Sequence, residues 1–158
     1  MKPKVAVIGV KGLPGYGGSS STNNELLPLL ASSYDITIYA IDTHAKQETY
    51  KGIKQHIFKS NKKLKFNSIL YYLRSVTHTL IKGNYDFIHL NHGVSGLIIS
   101  FLKLRYPVVT SIHGLNFKDD DKWNVIEYYI LKYAEWMAFN LSNIVTTVQK
   151  SSVSYIMN

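Results

Sequence analysis

The chain has 158 residues, of which 46% are hydrophobic and 13% aromatic, enough apolar material for one sizeable core and about one domain. It contains no cysteine, which excludes a disulfide framework and a Cys-based zinc site. Its formal charge of +8 favours an anionic partner, whether nucleic acid, an anionic membrane surface or a phosphorylated substrate.

The N-terminus, Met1-Lys2-Pro3-Lys4, runs straight into the apolar strand expected over Lys4 to Gly9. That run is too short for a signal-peptide core and is followed by glycines, so a cytoplasmic location is expected. Next comes Gly9-Val10-Lys11-Gly12-Leu13-Pro14-Gly15-Tyr16-Gly17-Gly18-Ser19-Ser20-Ser21-Thr22, between the first strand and a helix expected over Thr22 to Ser32. Glycines let backbone amides approach a phosphate without Cβ obstruction, and the helix N-terminus adds unpaired N–H groups. The same residues also read as a flexible turn in which Thr22 and Glu25 form a capping box. The spacing is not that of a dinucleotide fingerprint, and Lys11-Gly12 reverses the Gly-Lys of a P-loop. Pro28 predicts a short first turn, a kink or a later helix start.

Strands follow at Ile36 to Ile41, closed by Asp42, and at Ile53 to Phe58. Asp42 keeps a weak dinucleotide reading open. Lys51, Lys54, Lys59, Lys62, Lys63 and Lys65 then precede a helix expected over Asn67 to Ile81, which carries Tyr71, Tyr72 and Arg74. Basic residues beside an aromatic, amphipathic helix suit an anionic leaflet, each worth about 1 kcal/mol near the surface. They equally suit an ordinary solvated face. Nucleic acid is not expected, because no binding motif accompanies the charge.

The fourth strand, Phe87 to Leu90, begins after Asp86, places His89 in the core and ends on Asn91-His92-Gly93. A helix over Val94 to Leu104 leads to the fifth strand, Val108 to Ile112, and to His113-Gly114-Leu115-Asn116-Phe117-Lys118. In open α/β sheets ligands bind outside the carboxyl ends of strands, so both His-Gly pairs belong on one rim. His113 there can donate to a sugar hydroxyl or shuttle a proton, or else bond to backbone at the strand end. Asp119-Asp120-Asp121 reads as a solvated helix start favoured by the dipole, and no metal is expected. A helix over Trp123 to Asn140 and a strand over Ile144 to Val148 complete the pattern, before a helical start that stops near Met157. Short apolar strands alternating with amphipathic helices predict an α/β fold, a Rossmann-like doubly wound parallel sheet. No stretch reaches the roughly 20 apolar residues that span a bilayer.

Val7-Ile8-Gly9 with Gly12-Leu13-Pro14 and Tyr16-Gly17-Gly18, Tyr50-Lys51-Gly52-Ile53, Asp86 to His89, and His113-Gly114-Leu115 with Lys118 and Lys122-Trp123 resemble one family. It is the N-terminal domain of family 4 retaining glycosyltransferases, in particular a bacterial rhamnosyltransferase-like branch that builds capsule and other surface polysaccharides. Ser19-Ser20 and Asn116-Phe117 depart from the pairs that relatives often carry.

The resemblance implies that residues 1–158 form the acceptor-side, Rossmann-like domain of a two-domain GT-B enzyme, with the donor-binding domain absent and this chain alone inactive. It implies a nucleotide-sugar donor and a saccharide acceptor, lipid-linked at the inner membrane face, with no cofactor. It further implies substrate contacts by Gly15, Tyr16, Gly17, Gly18, Asn91, His92, Gly114 and Lys118, and by His113 to the transferred sugar as the catalytic group. Lys59, Lys62, Lys63, Lys65, Tyr71 and Tyr72 would face the membrane. The rival expectations are a stand-alone nucleotide-binding α/β protein and a membrane-associated module without catalysis.

Overall fold

A computed structural model describes residues 1–16, 18–60, 67–113, 124–148 and 153. A seven-stranded sheet runs in the order β3-β4-β2-β1-β5-β6-β7. Its strands are β1 (Lys4–Lys11), β2 (Asp35–Ile41), β3 (Thr49–Tyr50), β4 (Ile53–Phe58), β5 (Phe87–Leu90), β6 (Val108–Ile112) and β7 (Ile144–Thr147). All pairings are parallel except β3 with β4. The helices are α1 (Gly18–Leu30), α2 (Asn67–Lys82), α3 (Ile99–Leu102) and α4 (Val125–Leu141), and a 3-10 turn over Gly93–Ile98 leads into α3. The expected doubly wound α/β fold is the observed one.

Alternation along β1 explains the two-sided core, because successive side chains point to opposite faces. Val5 and Val7 join Ile36, Ile38, Ile53 and Leu27 of α1 on one face. Ala6 and Ile8 join Tyr71 and Val76 of α2, Leu102 of α3 and Met137 of α4 on the other. Burial on both faces is why the central strands read as continuous apolar runs.

Several elements differ from the sequence expectation. The first helix starts at Gly18 and runs through Pro28, whose missing N–H removes one bond in the last turn only; Ala31 N still bonds the Leu27 carbonyl at 3.0 Å. Thr22 therefore lies inside α1 and caps nothing, and the capping box is that of Asn124 with Glu127 on α4. The third helix is mostly 3-10 turn, because the backbone around Gly96 presses on α4: a Cβ there would run into the Ala134 carbonyl. The β3–β4 hairpin turns on Lys51 and Gly52, both left-handed with φ of 45° and 82°, the mirror-image turn that suits strand twist. Among the described residues no helix is long and apolar enough to cross a membrane.

Candidate functional site

The chain leaves β1 toward β2 and β4, then returns to the other side of β1 as β5. This reversal opens a crevice at the carboxyl ends of the strands. It encloses about 1270 Å³ and is lined by residues 9–16 at and beyond the end of β1, His44 and Lys46 after β2, Ser68 and Tyr72 of α2, His92 after β5 and Glu127 of α4.

Side chains from distant elements fix the glycine loop on one wall. Gln55 accepts from Leu13 N at 2.7 Å and donates to the Leu13 carbonyl at 2.9 Å. Asn24 of α1 accepts from Gly15 N at 2.8 Å and donates to the Gly15 carbonyl at 2.7 Å. Between these anchors the Leu13–Pro14 peptide is cis. Gly12, at φ 151°, packs so closely that a Cβ would stand 2.9 Å from Ala45. At the start of the loop Gly9 N donates to the Tyr71 hydroxyl at 2.8 Å, and that hydroxyl donates to the Tyr39 carbonyl at 3.0 Å.

The crevice is electropositive. Lys11, the last residue of β1, is left-handed at φ 63° and donates to Ser68 Oγ at 3.0 Å. Burial lowers its pKa below the usual lysine value. Burial also lowers His44 and His92, and the Lys11 charge depresses both further. Lys46 donates to the Asp42 carbonyl at 2.9 Å. Asp42 itself accepts from Ser60 N at 3.0 Å, tying β2 to the end of β4 rather than presenting a ribose ligand.

His113 ends the rim of β6. Both of its ring nitrogens are buried without a hydrogen-bond partner among the described residues, and burial holds its pKa below the ordinary value. Its charge, when present, depresses its neighbours His89 and His92. It is therefore a neutral imidazole at neutral pH, able to donate to one ligand atom and accept from another. His89 lies in the core as expected, with Nε2 2.7 Å from Ser111 Oγ and its pKa lowered by burial to about 4.

The sequence-expected residues divide as follows. Gly15, Tyr16 and His92 line the crevice, although the Gly15 amide is spent on Asn24 and His92 Nδ1 accepts from Val94 N. Gly18 is the first residue of α1, and His113 stands beside His92 without lining the same cavity. Asn91 needs correction: it is 2% exposed and exchanges two hydrogen bonds with Asn23, so its side chain is a strut beneath the site. Tyr71 also needs correction, because at 1% exposure it faces the core rather than a membrane. Tyr72 turns into the crevice and away from the outer face. Lys59 is exposed. Gly17, Lys62, Lys63, Lys65, Gly114, Lys118 and Asp119 to Asp121 lie outside the described residues.

The sequence reading missed Lys11, His44, Lys46 and Ser68 as site residues, and Asn24 and Gln55 as anchors. The strand-end rule would have found His44, which follows β2 much as His92 follows β5.

The family model described as Glycosyltransferase Family 4 matches residues 16–158. Among solved structures, sucrose-phosphate synthase from Thermosynechococcus elongatus shares the fold with a TM-score of 0.58 and 12% identity, over 92% of this chain and 47% of that one. The chain thus spans about half the length of that structure. No curated protein matches it.

Proposed function

The chain belongs to Glycosyltransferase Family 4, and from that premise we propose that it is the acceptor-side half of a retaining glycosyltransferase of the two-domain GT-B kind. The enzyme moves a hexosyl or rhamnosyl unit from a nucleotide-sugar to a saccharide acceptor, lipid-linked, in the synthesis of bacterial surface polysaccharide such as capsule. A second Rossmann-like domain holds the nucleotide. The observation that carries the reading is the switch-point crevice, where a pinned glycine loop and an electropositive floor face the open side of the sheet.

In this mechanism the N–H groups at the start of α1, from Gly18 onward, face the donor diphosphate and stabilise the charge that develops as it leaves. Because the Gly15 amide is committed to Asn24, Gly15 shapes the loop rather than donating. His113, neutral and with both nitrogens free of described partners, hydrogen-bonds the sugar in transit. The acceptor hydroxyl enters through the crevice, attacks the anomeric carbon on the face the diphosphate vacates, and passes its proton toward the departing phosphate oxygen. No cofactor is assigned. The exposed Lys51, Lys59 and Arg74, with Leu73 and Ile81 more than half exposed on α2, support approach to an anionic leaflet.

Calorimetry of the chain against uridine-, thymidine- and guanosine-diphosphate sugars tests the division of labour. In this reading the second domain supplies the contacts to base and ribose, so affinities near millimolar are expected for residues 1–158, worth about 4 kcal/mol, together with no transfer by these residues alone. Micromolar nucleotide-sugar binding would place the donor site in this domain and overturn the acceptor-side reading.

A further inference from the structure

We propose that Tyr72 selects the acceptor sugar: its phenol O–H, presented into the crevice beside His92, donates to one particular hydroxyl of the acceptor pyranose and favours sugars that carry it. The inference rests on the acceptor-side reading and adds to it a specificity-determining residue.

Tyr71 and Tyr72 are neighbours on α2 in opposite circumstances. The Tyr71 hydroxyl is engaged by Gly9 N and by the Tyr39 carbonyl. The Tyr72 hydroxyl has a single partner among the described residues, Ser95 Oγ at 3.5 Å, well beyond the roughly 2.5–3.0 Å of a full O–H···O bond. Ser95 is the donor in that contact, so the phenol hydrogen is uncommitted. Burial raises the Tyr72 pKa, which keeps the group a neutral phenol whose hydroxyl is largely withdrawn from water. A polar group so placed is short of a hydrogen bond until a ligand provides one. The ring is also held in place, packed edge-on with its centroid 5.0 Å from that of the pinned Tyr71.

His92 stands in the same corner. Ser95 N donates to the His92 carbonyl at 3.0 Å while Ser95 Oγ reaches Tyr72, so one fully buried serine ties both residues to a single turn. Nδ1 of His92 accepts from Val94 N, which leaves the ring hydrogen on Nε2 as a second neutral donor. Ile69, Val94 and Leu131 line the crevice beside these two groups. Neutral donors flanked by apolar side chains match a pyranose, whose hydroxyls stand at its edge and whose C–H groups form its faces. A site that keeps a buried donor for one hydroxyl discriminates against the analogue lacking it, because the donor is then left unpaired.

The test is an NMR titration of the isotope-labelled chain with methyl glucoside, galactoside and mannoside and with the monodeoxy derivatives of each. At least one parent sugar is expected to bind saturably and to shift the amide signals of Tyr72 and His92. One of its monodeoxy derivatives should bind about tenfold more weakly than the parent. Tyr72→Phe, which keeps the ring and removes the hydroxyl, should weaken the parent about tenfold and leave parent and derivative equal, with the urea unfolding midpoint as the control for an intact fold. A gap that survives Tyr72→Phe overturns the assignment. So does saturable binding by none of the parents. The wild-type series needs no variant: monodeoxy derivatives that all bind like their parents overturn it as well. Uridine diphosphate glucose is titrated alongside, and its binding in the micromolar range overturns the acceptor-side reading instead, so the two failures are read from different ligands.

Discussion

Asn23 and Asn91 meet as a buried, reciprocal carboxamide pair, donating to each other at 2.8 and 2.9 Å across 68 residues of sequence. The pair fastens α1 to the residue just past β5, directly under the crevice. Asn91→Asp would set a carboxylate oxygen against the Asn23 carbonyl oxygen. A loss of about 2 kcal/mol at neutral pH is expected in urea unfolding. The new carboxyl would have its pKa raised, so its protonated form, which donates, is the stable one. Part of the loss should therefore be recovered in acid and reappear as pH rises through the folded-state value. A pH-independent loss would show that the pair does not discriminate donor from acceptor.

Tyr71 is the second strut. Its hydroxyl serves Gly9 N and the Tyr39 carbonyl in the core, so Tyr71→Phe removes both of these hydrogen bonds. Destabilisation of about 1–3 kcal/mol is expected by chemical denaturation. A membrane-facing tyrosine would tolerate the change, and an unaltered unfolding midpoint would contradict the placement described above.

Gly96→Ala should be among the most damaging single-methyl insertions. The added Cβ meets the Ala134 carbonyl of α4, so the 3-10 turn and α4 must separate. A cost of about 1–3 kcal/mol is expected. Since Glu127 and Leu131 of the same helix line the crevice, NMR shifts of crevice residues should move as well. Stability equal to wild type would mean the helix yields freely at this contact.

His89 makes stability depend on acid. Its folded pKa of about 4 lies below the ordinary 6.5, so between those values the unfolded chain binds a proton that the folded chain refuses. The stabilisation is complete above pH 6.5 and is lost as pH falls toward 4, by up to about 3 kcal/mol. His89→Gln, which keeps a hydrogen-bonding group near Ser111 but cannot take the proton, should flatten the urea-measured stability profile over this window. Parallel profiles for variant and wild type would assign the acid sensitivity to other histidines.

Much of the fold was readable because polar and turn residues bracket short runs rich in β-branched and aromatic residues. The strands over Ile53–Phe58, Phe87–Leu90 and Val108–Ile112 stand where the pattern puts them. What escaped depends on contacts across long sequence distance or on very short elements. The two residues Thr49–Tyr50 carry no periodicity, and their hairpin is set by the left-handed Lys51 and Gly52. Serines and glycines at the head of α1 have low helix propensity, which hid its first turn. Tyr71 and Tyr72 are adjacent on one helix and so point about 100° apart; periodicity alone did not say which of them faces the sheet. At the site, the strand-end rule located the glycine loop and the two rim histidines. Lys11 escaped because its place on the crevice floor depends on Ser68 of α2, 57 residues away in sequence.

The carboxamide anchors of Gln55 and Asn24 also determine how the proposed enzyme would close. Since Leu13 and Gly15 are tied to β4 and α1, the loop is part of the rigid body of the sheet and does not fold over a ligand as a separate flap. Ordering each backbone residue takes about 1–2 kcal/mol of conformational entropy, and at Leu13 and Gly15 the protein's own carboxamides supply the bonds that do so. A second domain would therefore meet a preformed wall, and capture of the donor would consist of one body swinging against another.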